Sequence, residues 1–554
     1  MATETPEVAP APGIPSGATD KGDGTWAFAL WAPLKKSVEL IGDFNEWKPE
    51  PLKVDESGLW WIEKRLEPGT HVYQFVLDGE TTICDPYARR IRWDDGSPQP
   101  HAVIEVGTQP YEWHDNDFAI KPLNQFVIYE MHIGNFSPEG TFEGAIQRLD
   151  YLANLGVDAI ELMPVQEFPG DQSWGYNPAY MFTVEGAYGS VDDFKRLVDA
   201  AHQHGMGVIL DMVMAHTAPD SPLVQLYPRD QNPYFNAGDN RWGFPEFNQT
   251  SDAAKRFFRD VQDYWLTAFH IDGFRYDYIE GISYDGTNGA SFLTWAAKQS
   301  KPYAYLIAED IVQDPAAVVR DTQMDCSWHW QFMKVMRAQL YESDYEGNRS
   351  GDLDAVLRVL RFDGDGYQDN AQPVIYLETH DEERLMADAQ SCNPKLNEAG
   401  ALRKSMLGAI ALFTAQGVPM LYQGQEFGTS SPKTIEVSKL PWENLESDAG
   451  KALQQHYASL AYLRHTQGAL HTNNFQVLLK DPKKRVVVFH RWDDNGSDVV
   501  VALNFSPVDQ HVRFAFPRAG RWHEWLNDYD EQVSGKQQEF ELNDSYGKIW
   551  VFQE

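Results

Sequence analysis

Residues 190–216, SVDDFKRLVDAAHQHGMGVILDMVMAH, read as a helix that leads at once into a buried strand. Ser190 and Asp193 stand at capping-box spacing, and Gly205 closes the helical stretch. The run Gly-Val-Ile-Leu that follows is almost wholly apolar, as a strand covered on both faces must be. It ends in Asp211, with His216 five residues on.

Working outward, the same alternation recurs. Strand-like runs FVIYEMHIG, AIELMPV, GFRYDYI, YLIAEDI, PVIYLETHD and VPMLYQGQEFG are separated by helical stretches. One of these, TFEGAIQRLDYLANLG, places Ile146, Leu149, Leu152 and Leu155 on one helical face and stops at Gly156. An eighth, weaker strand signal lies near DCSWHWQF. Apolar strands between amphipathic helices imply a parallel sheet, and eight such units close a (β/α)8 TIM barrel with its chemistry at the C-terminal strand ends. The barrel is expected over residues 120–468, with a loop insertion after strand three at about 217–250.

Either side of it the pattern changes. Residues 24–108 carry short alternating runs such as WAFALWAP and LWWIEKRL, the pattern of a small β-sandwich. Residues 469–554 return to strands (VVVFHRW, DVVVALNF, KIWVFQ), predicting a C-terminal β-sandwich. Residues 1–23, rich in Pro, Ala, Gly and Thr, are expected to be disordered. The fold class is therefore multidomain α/β.

A chain of 554 residues is too long for one core, in keeping with several domains. Against 46 basic residues stand 82 acidic ones, a formal charge of −36 that argues against nucleic-acid and anionic-membrane partners. Cys84, Cys326 and Cys392 are too few and too far apart for a disulfide framework or a zinc site. No apolar run reaches the length of a membrane span. The first residues lack the basic and apolar segments of a signal peptide, so the chain reads as cytoplasmic, although a secreted protein trimmed of its leader would look the same. Aromatics make up 13% of the chain, which suits sugar-stacking surfaces and large cores alike, with cores the commoner use.

Polar residues at the strand ends carry the chemistry. Arg275 and Asp277 are two apart, hence on one face of a strand, and a guanidinium beside a carboxylate keeps it ionised as a nucleophile requires. Glu309 ends the fifth strand, and His380-Asp381 ends the seventh. A lone acid after a strand is usually a helix cap; acids closing four strands of one barrel are a different matter. HExxH, Walker, GxGxxG and GxSxG patterns are absent. Carboxylates with an arginine suit glycosidic cleavage, which needs one ionised and one protonated carboxyl group.

These residues resemble the α-amylase family, glycoside hydrolase family 13. DMVMAH (211–216), GFRYD (273–277), the AE of LIAED and the HD of ETHDEE are similar to its four signature segments in order. FPEFN (244–248) is similar to the motif in the loop after strand three, and WGYNPAY (174–180) to the segment whose tyrosine, here Tyr176, stacks under the sugar. The front module, with WAP and GDFNEW, resembles the starch- and glycogen-associated sandwich of branching and debranching members. The resemblance implies Asp277 as nucleophile, Glu309 as acid/base with a raised pKa, and Asp381 as holder of sugar hydroxyls. It further implies that Tyr176, Asp211, His216, Arg275 and His380 bind substrate, with Arg275 orienting Asp277. It implies an α-glucan substrate and no required cofactor. The structural calcium common in the family loses an amide ligand here, where Ala215 precedes His216, and Thr379 replaces the usual Asn before His380.

The leading expectation is a retaining hydrolase of α-1,4-glucosidic bonds. The alternatives are a branching enzyme or other glucanotransferase, then a maltooligosyl trehalose trehalohydrolase. A non-catalytic glucan-binding protein is disfavoured because all three acids are present. Trp47 and Trp60 are candidates for glucan contact on the front module, with core packing as the competing role.

Overall fold

The computed structural model describes residues 13, 15–94, 97, 99–282, 289–309, 314–341 and 352–553. Eight parallel strands close a barrel in sequence order: β1 (Ile128–Met131), β2 (Ala159–Leu162), β3 (Gly207–Met212), β4 (Gly273–Tyr276), β5 (Tyr305–Ala308), β6 (Cys326–Trp328), β7 (Pro373–Tyr376) and β8 (Val418–Tyr422), with β8 pairing back onto β1. The weak signal near DCSWHWQF is thus a true barrel strand, shortened to three residues.

The period of two sorts each strand. Ile128, Ala159, Ile209, Ile307, Cys326 and Val374 fill the barrel interior as one apolar cluster. Two residues further along their strands, Glu130, Glu161 and Asp211 occupy the same face near the C-terminal end, and all three are buried. Their neighbours Tyr129, Ile160 and Leu210 belong instead to the large core shared with the helices. Gly273 starts β4 because a Cβ there would overlap the carbonyl of Tyr305 on β5. An apolar plug therefore supports a polar upper layer.

Helix α1 (Val191–Gln203) carries the expected reciprocal cap between Ser190 and Asp193, and Gly205 follows at φ 76°. Helix α2 (Asp252–Ala268) covers β4 from outside, burying Phe257, Phe258, Val261 and Trp265. The predicted continuous helix ending at Gly156 is two short ones, Phe142–Ile146 and Leu149–Leu155, and Ile146 is only partly buried. Between β3 and α2 a small hairpin pairs Phe235–Asp239 with Pro245–Phe247.

In front, a four-stranded sheet packs against a six-stranded one. The first strand, Gly17–Asp20, pairs with Thr25–Trp31, which corrects the expectation of disorder over 1–23: its backbone is paired in register from Gly17 to Asp20. Residues 1–12 and 14 of that segment lie outside the described residues. Trp60 is 2% exposed and donates its indole N–H to the carbonyl of Ala32, so it is a core residue and not a glucan contact. Trp47, 41% exposed, stands edge-on to His101 at the surface. Behind the barrel, a six-stranded and a two-stranded antiparallel sheet enclose Phe514, Phe516, Trp522, Phe540 and Trp550. Among the described residues no helix is long and apolar enough to cross a membrane, and the three cysteines are free thiols.

Candidate active site

Arg275 organises the upper layer of the barrel. Its Nη1 donates to both oxygens of Asp211, at 2.9 and 2.8 Å, and to Oδ1 of Asp277 at 3.1 Å. Its Nη2 lies 3.3 Å from Oε2 of Glu309. The guanidinium is wholly buried, with its carbon 4.3 Å from the centre of the Trp328 ring. One cation thus joins carboxylates from β3 and from the residues directly following β4 and β5.

The turn after β4 completes this arrangement. Asp277 anchors its N–H on the carbonyl of Met212, 3.2 Å away. Tyr278 then adopts φ 49°, a left-handed conformation costly for a residue with a Cβ, and its N–H donates to Oε2 of Glu309 at 2.7 Å. The Asp277 and Glu309 side chains are each 14% exposed, reachable from the rim but largely out of water.

Tyr176, His380 and Asp381 continue the cluster from Asp211. The Tyr176 hydroxyl donates to Asp211 at 2.6 Å, and its ring stacks on His380 at 4.9 Å and 20°. His380 turns Nδ1 to Glu130 and leaves Nε2 3.4 Å from Asp381. The Asp381 N–H donates to Oγ1 of Thr379 at 3.2 Å, which gives Thr379 a role that its place in the sequence did not suggest. Lys433 donates to the carbonyl of Asp381 and stands over the Trp174 ring. His216 stacks on Phe244 at 5.1 Å and donates Nε2–H to the carbonyl of Tyr176 at 2.8 Å, fixing the segment that carries the tyrosine.

Burial and neighbouring charge set the protonation pattern. Burial, with Glu309 alongside, pushes the Asp277 carboxyl well above the usual range against the pull of Arg275. Burial likewise raises Asp211, to about 6, although Arg275 opposes it. For His380 burial works downward, but Asp381 and Glu130 outweigh it and carry the imidazole to about 9. Burial would raise Asp381 too; His380, Arg275 and Lys433 overcome this and hold it below the ordinary value. Burial lowers His216. At Asp277 burial and the neighbouring acids outweigh the Arg275 guanidinium, an outcome that its place beside an arginine in the sequence did not suggest.

The eight residues assigned to catalysis and sugar binding at the barrel, Tyr176, Asp211, His216, Arg275, Asp277, Glu309, His380 and Asp381, meet in this cluster. Three participants escaped that reading: Glu130, Trp328 and Lys433. Glu130 was visible as an acid inside an apolar strand run, IYEM; Trp328 lay in the weakest strand signal; Lys433 lies in an irregular loop with no pattern to mark it. One amide ligand common to the family's calcium site is replaced here. Ala215 presents a buried methyl group where an amide oxygen is needed, and among the described residues no three His, Cys, Asp or Glu are disposed to hold a metal.

Known proteins share this organisation. The model for "Alpha amylase, catalytic domain" matches residues 114–226 and 227–461. That for "Alpha amylase, C-terminal all-beta domain" matches 477–552, and "Carbohydrate-binding module 48 (Isoamylase N-terminal domain)" matches 15–88. The malto-oligosyltrehalose trehalohydrolase of Saccharolobus solfataricus is 30% identical over 433 residues, 73% of this chain and 74% of that protein. The 1,4-alpha-glucan branching enzyme GlgB of Nitrosomonas eutropha is 28% identical, over 90% of this chain and 74% of its own. The pullulanase SAP of Group B Streptococcus, solved with maltotetraose, superposes with a TM-score of 0.84 at 18% identity, covering 98% of this chain and 88% of that one, and so shares the fold. With its catalytic barrel matched along most of its length and four signature segments meeting on one rim, the chain belongs to the α-amylase family, glycoside hydrolase family 13.

Proposed function

We propose that this α-glucan-active enzyme is a retaining hydrolase of α-1,4-glucosidic bonds in starch, glycogen or maltooligosaccharides. The observation that carries the reading is the single Arg275 guanidinium joining Asp277 and Glu309 at the barrel rim, with Asp381 beside the stacked pair Tyr176 and His380. A double displacement needs one carboxylate as nucleophile and one carboxyl group as acid on the same side of a barrel rim, and the guanidinium brings these two together.

In this mechanism a glucosyl ring stacks on Tyr176, and its hydroxyls bind Asp381 and His380. The glycosidic oxygen docks on Glu309, which carries the proton to be donated, and Asp277 is the ionised partner beside Arg275. Asp277 attacks the anomeric carbon as Glu309 gives its proton to the departing oxygen, so one C–O bond forms as another breaks. Glu309, now a carboxylate, takes a proton from water, whose oxygen displaces Asp277 and restores the original configuration. Asp211 stays bound to Arg275 and Tyr176 throughout, holding both in place.

A glucanotransferase shares every step up to the glycosyl-enzyme and delivers it to a sugar hydroxyl. The names of two relatives, a branching enzyme and a trehalohydrolase, favour testing both alternatives. Amylose is incubated with the enzyme while reducing ends and iodine stain are followed together. Rising reducing ends with falling stain support hydrolysis. A shifting stain with flat reducing ends overturns it in favour of transfer. If neither moves and trehalose is released from maltooligosyl trehalose, the third reading replaces it.

A further inference from the structure

A cavity of about 480 Å³ lies away from the catalytic rim, where the front sandwich and the linker after it meet helices α1 and α2. Ligand sites favour such junctions between domains. Three cations from two domains face one another there: Arg89 and Arg90 from the sandwich and Lys195 from α1. In a chain with 82 acidic residues against 46 basic ones, each would be expected to find a carboxylate. Arg90 does, pairing with Glu105 at 3.0 Å. Arg89 and Lys195 make no ion pair among the described residues. Each is held over a ring face instead, Arg89 at 5.2 Å from the centre of Tyr264 and Lys195 at 5.8 Å from that of Tyr111.

A cation held by a ring keeps its N–H donors free, because the ring supplies no acceptor atom. The cluster also repels itself. Burial, joined by Arg90 and Arg89 and opposed by Asp192, pulls the Lys195 ammonium below its ordinary pKa. An anion between Arg89 and Lys195 would relieve this. The rest of the wall is of another kind. Asp20, Asp192 and Gln109 offer acceptors, and the indole N–H of Trp26 is buried with no partner. Tyr111 commits its hydroxyl to Asp199 at 3.0 Å, so it offers the cavity a ring and not a phenol. Donors for one anionic group, acceptors for several hydroxyls and an aromatic surface describe a sugar carrying a phosphate.

We propose that this cavity binds a sugar phosphate, the phosphate held by Arg89 and Lys195 and the sugar hydroxyls by Asp20, Asp192 and Gln109. The site is independent of the hydrolytic reading, since none of its residues lies on the catalytic rim. The guanidinium forks toward two phosphate oxygens while the ammonium meets the third as a point charge. Because the walls come from both domains, an occupant would tie the sandwich to the barrel and stabilise the folded chain by mass action.

Titration calorimetry on the full chain tests this with glucose 6-phosphate, inorganic phosphate, glucose and adenosine monophosphate at constant ionic strength. The sugar phosphate should bind one to one with a Kd on the order of 0.1 mM. Inorganic phosphate should bind about tenfold weaker or worse, and glucose should give no heat. Arg89→Ala and Lys195→Ala should each weaken the sugar phosphate about tenfold or more, leave the melting temperature of the empty protein and its glucan activity unchanged, and Lys195→Arg should retain most of the affinity. Absence of binding overturns the proposal, as does affinity unchanged in both alanine variants. Inorganic phosphate binding as tightly as the sugar phosphate, or the nucleotide binding more tightly, overturns the assignment of the ligand.

Discussion

Glu130 holds His380 twice, taking its ring Nδ1–H at 2.6 Å on one oxygen and its backbone N–H at 3.2 Å on the other. Both side chains are almost fully buried, and the imidazole's remaining nitrogen points at Asp381. An acid on β1 therefore decides the charge and orientation of a histidine on the far side of the seam, beyond β8.

Glu130→Gln should remove the buried charge that His380 hydrogen-bonds through Nδ1. The folded-state value of about 9 lies above the ordinary imidazole range, so its contribution to stability is complete below roughly pH 6.5 and fades as pH rises through about 9. The variant should lose activity at alkaline pH about one unit earlier than the parent. Its KM should rise more than its kcat falls, since hydroxyl binding is weakened and the attacking acid is untouched. A pH–rate profile of both proteins checks this.

Arg275→Ala leaves Asp211, Asp277 and Glu309 facing one another without a cation. Removing one partner from a buried ionic group costs about 3–5 kcal/mol, to be read from urea unfolding at pH 7. Asp211, already raised to about 6, protonates more readily still in the variant, so the destabilisation should shrink at pH 5. A penalty that stayed equal at both pH values would mean the loss is one of packing against Trp328.

The two tryptophans of the front module should separate cleanly. Trp60→Ala opens a cavity in the sandwich core and should cost about 3–5 kcal/mol of stability. Trp47→Ala should leave the melting temperature nearly unchanged and reduce retention on an amylopectin gel, with turnover of maltoheptaose unaffected. Equal retention would relegate Trp47 to an ordinary surface residue.

Chelation should do little. With Ala215 in place of an amide ligand, EDTA should change neither the melting temperature nor the rate on amylose. A drop that calcium alone restores would mean that the protein builds a calcium site from other ligands.

The barrel and its carboxylates were legible in the sequence because both follow from short-range rules. Alternation of apolar runs with capped helices fixes β3 and α1, and an acid at a strand's end needs no tertiary contact to be noticed. What escaped depends on closure. Glu130 touches His380 only because β1 and β8 meet to seal the barrel, and Lys433 reaches Asp381 through a loop without periodicity. Gly17–Asp20 looked unstructured because four residues carry too little pattern, yet they pair with Thr25–Trp31 once that strand is in place. The rise of Asp277 was hidden for the same reason: its burial and the acids around it exist only once the barrel has closed.

The central claim is that Asp277 becomes covalently glycosylated, and trapping that species tests it directly. Fluoride leaves a glycosyl fluoride without acid assistance, so a Glu309→Gln variant given α-maltosyl fluoride should form the intermediate but break it down slowly. Mass analysis of a rapid acid-quenched digest should find the sugar on the peptide containing Asp277. A protein that turns over the fluoride with no covalent species, or carries the sugar on another residue, would contradict the account.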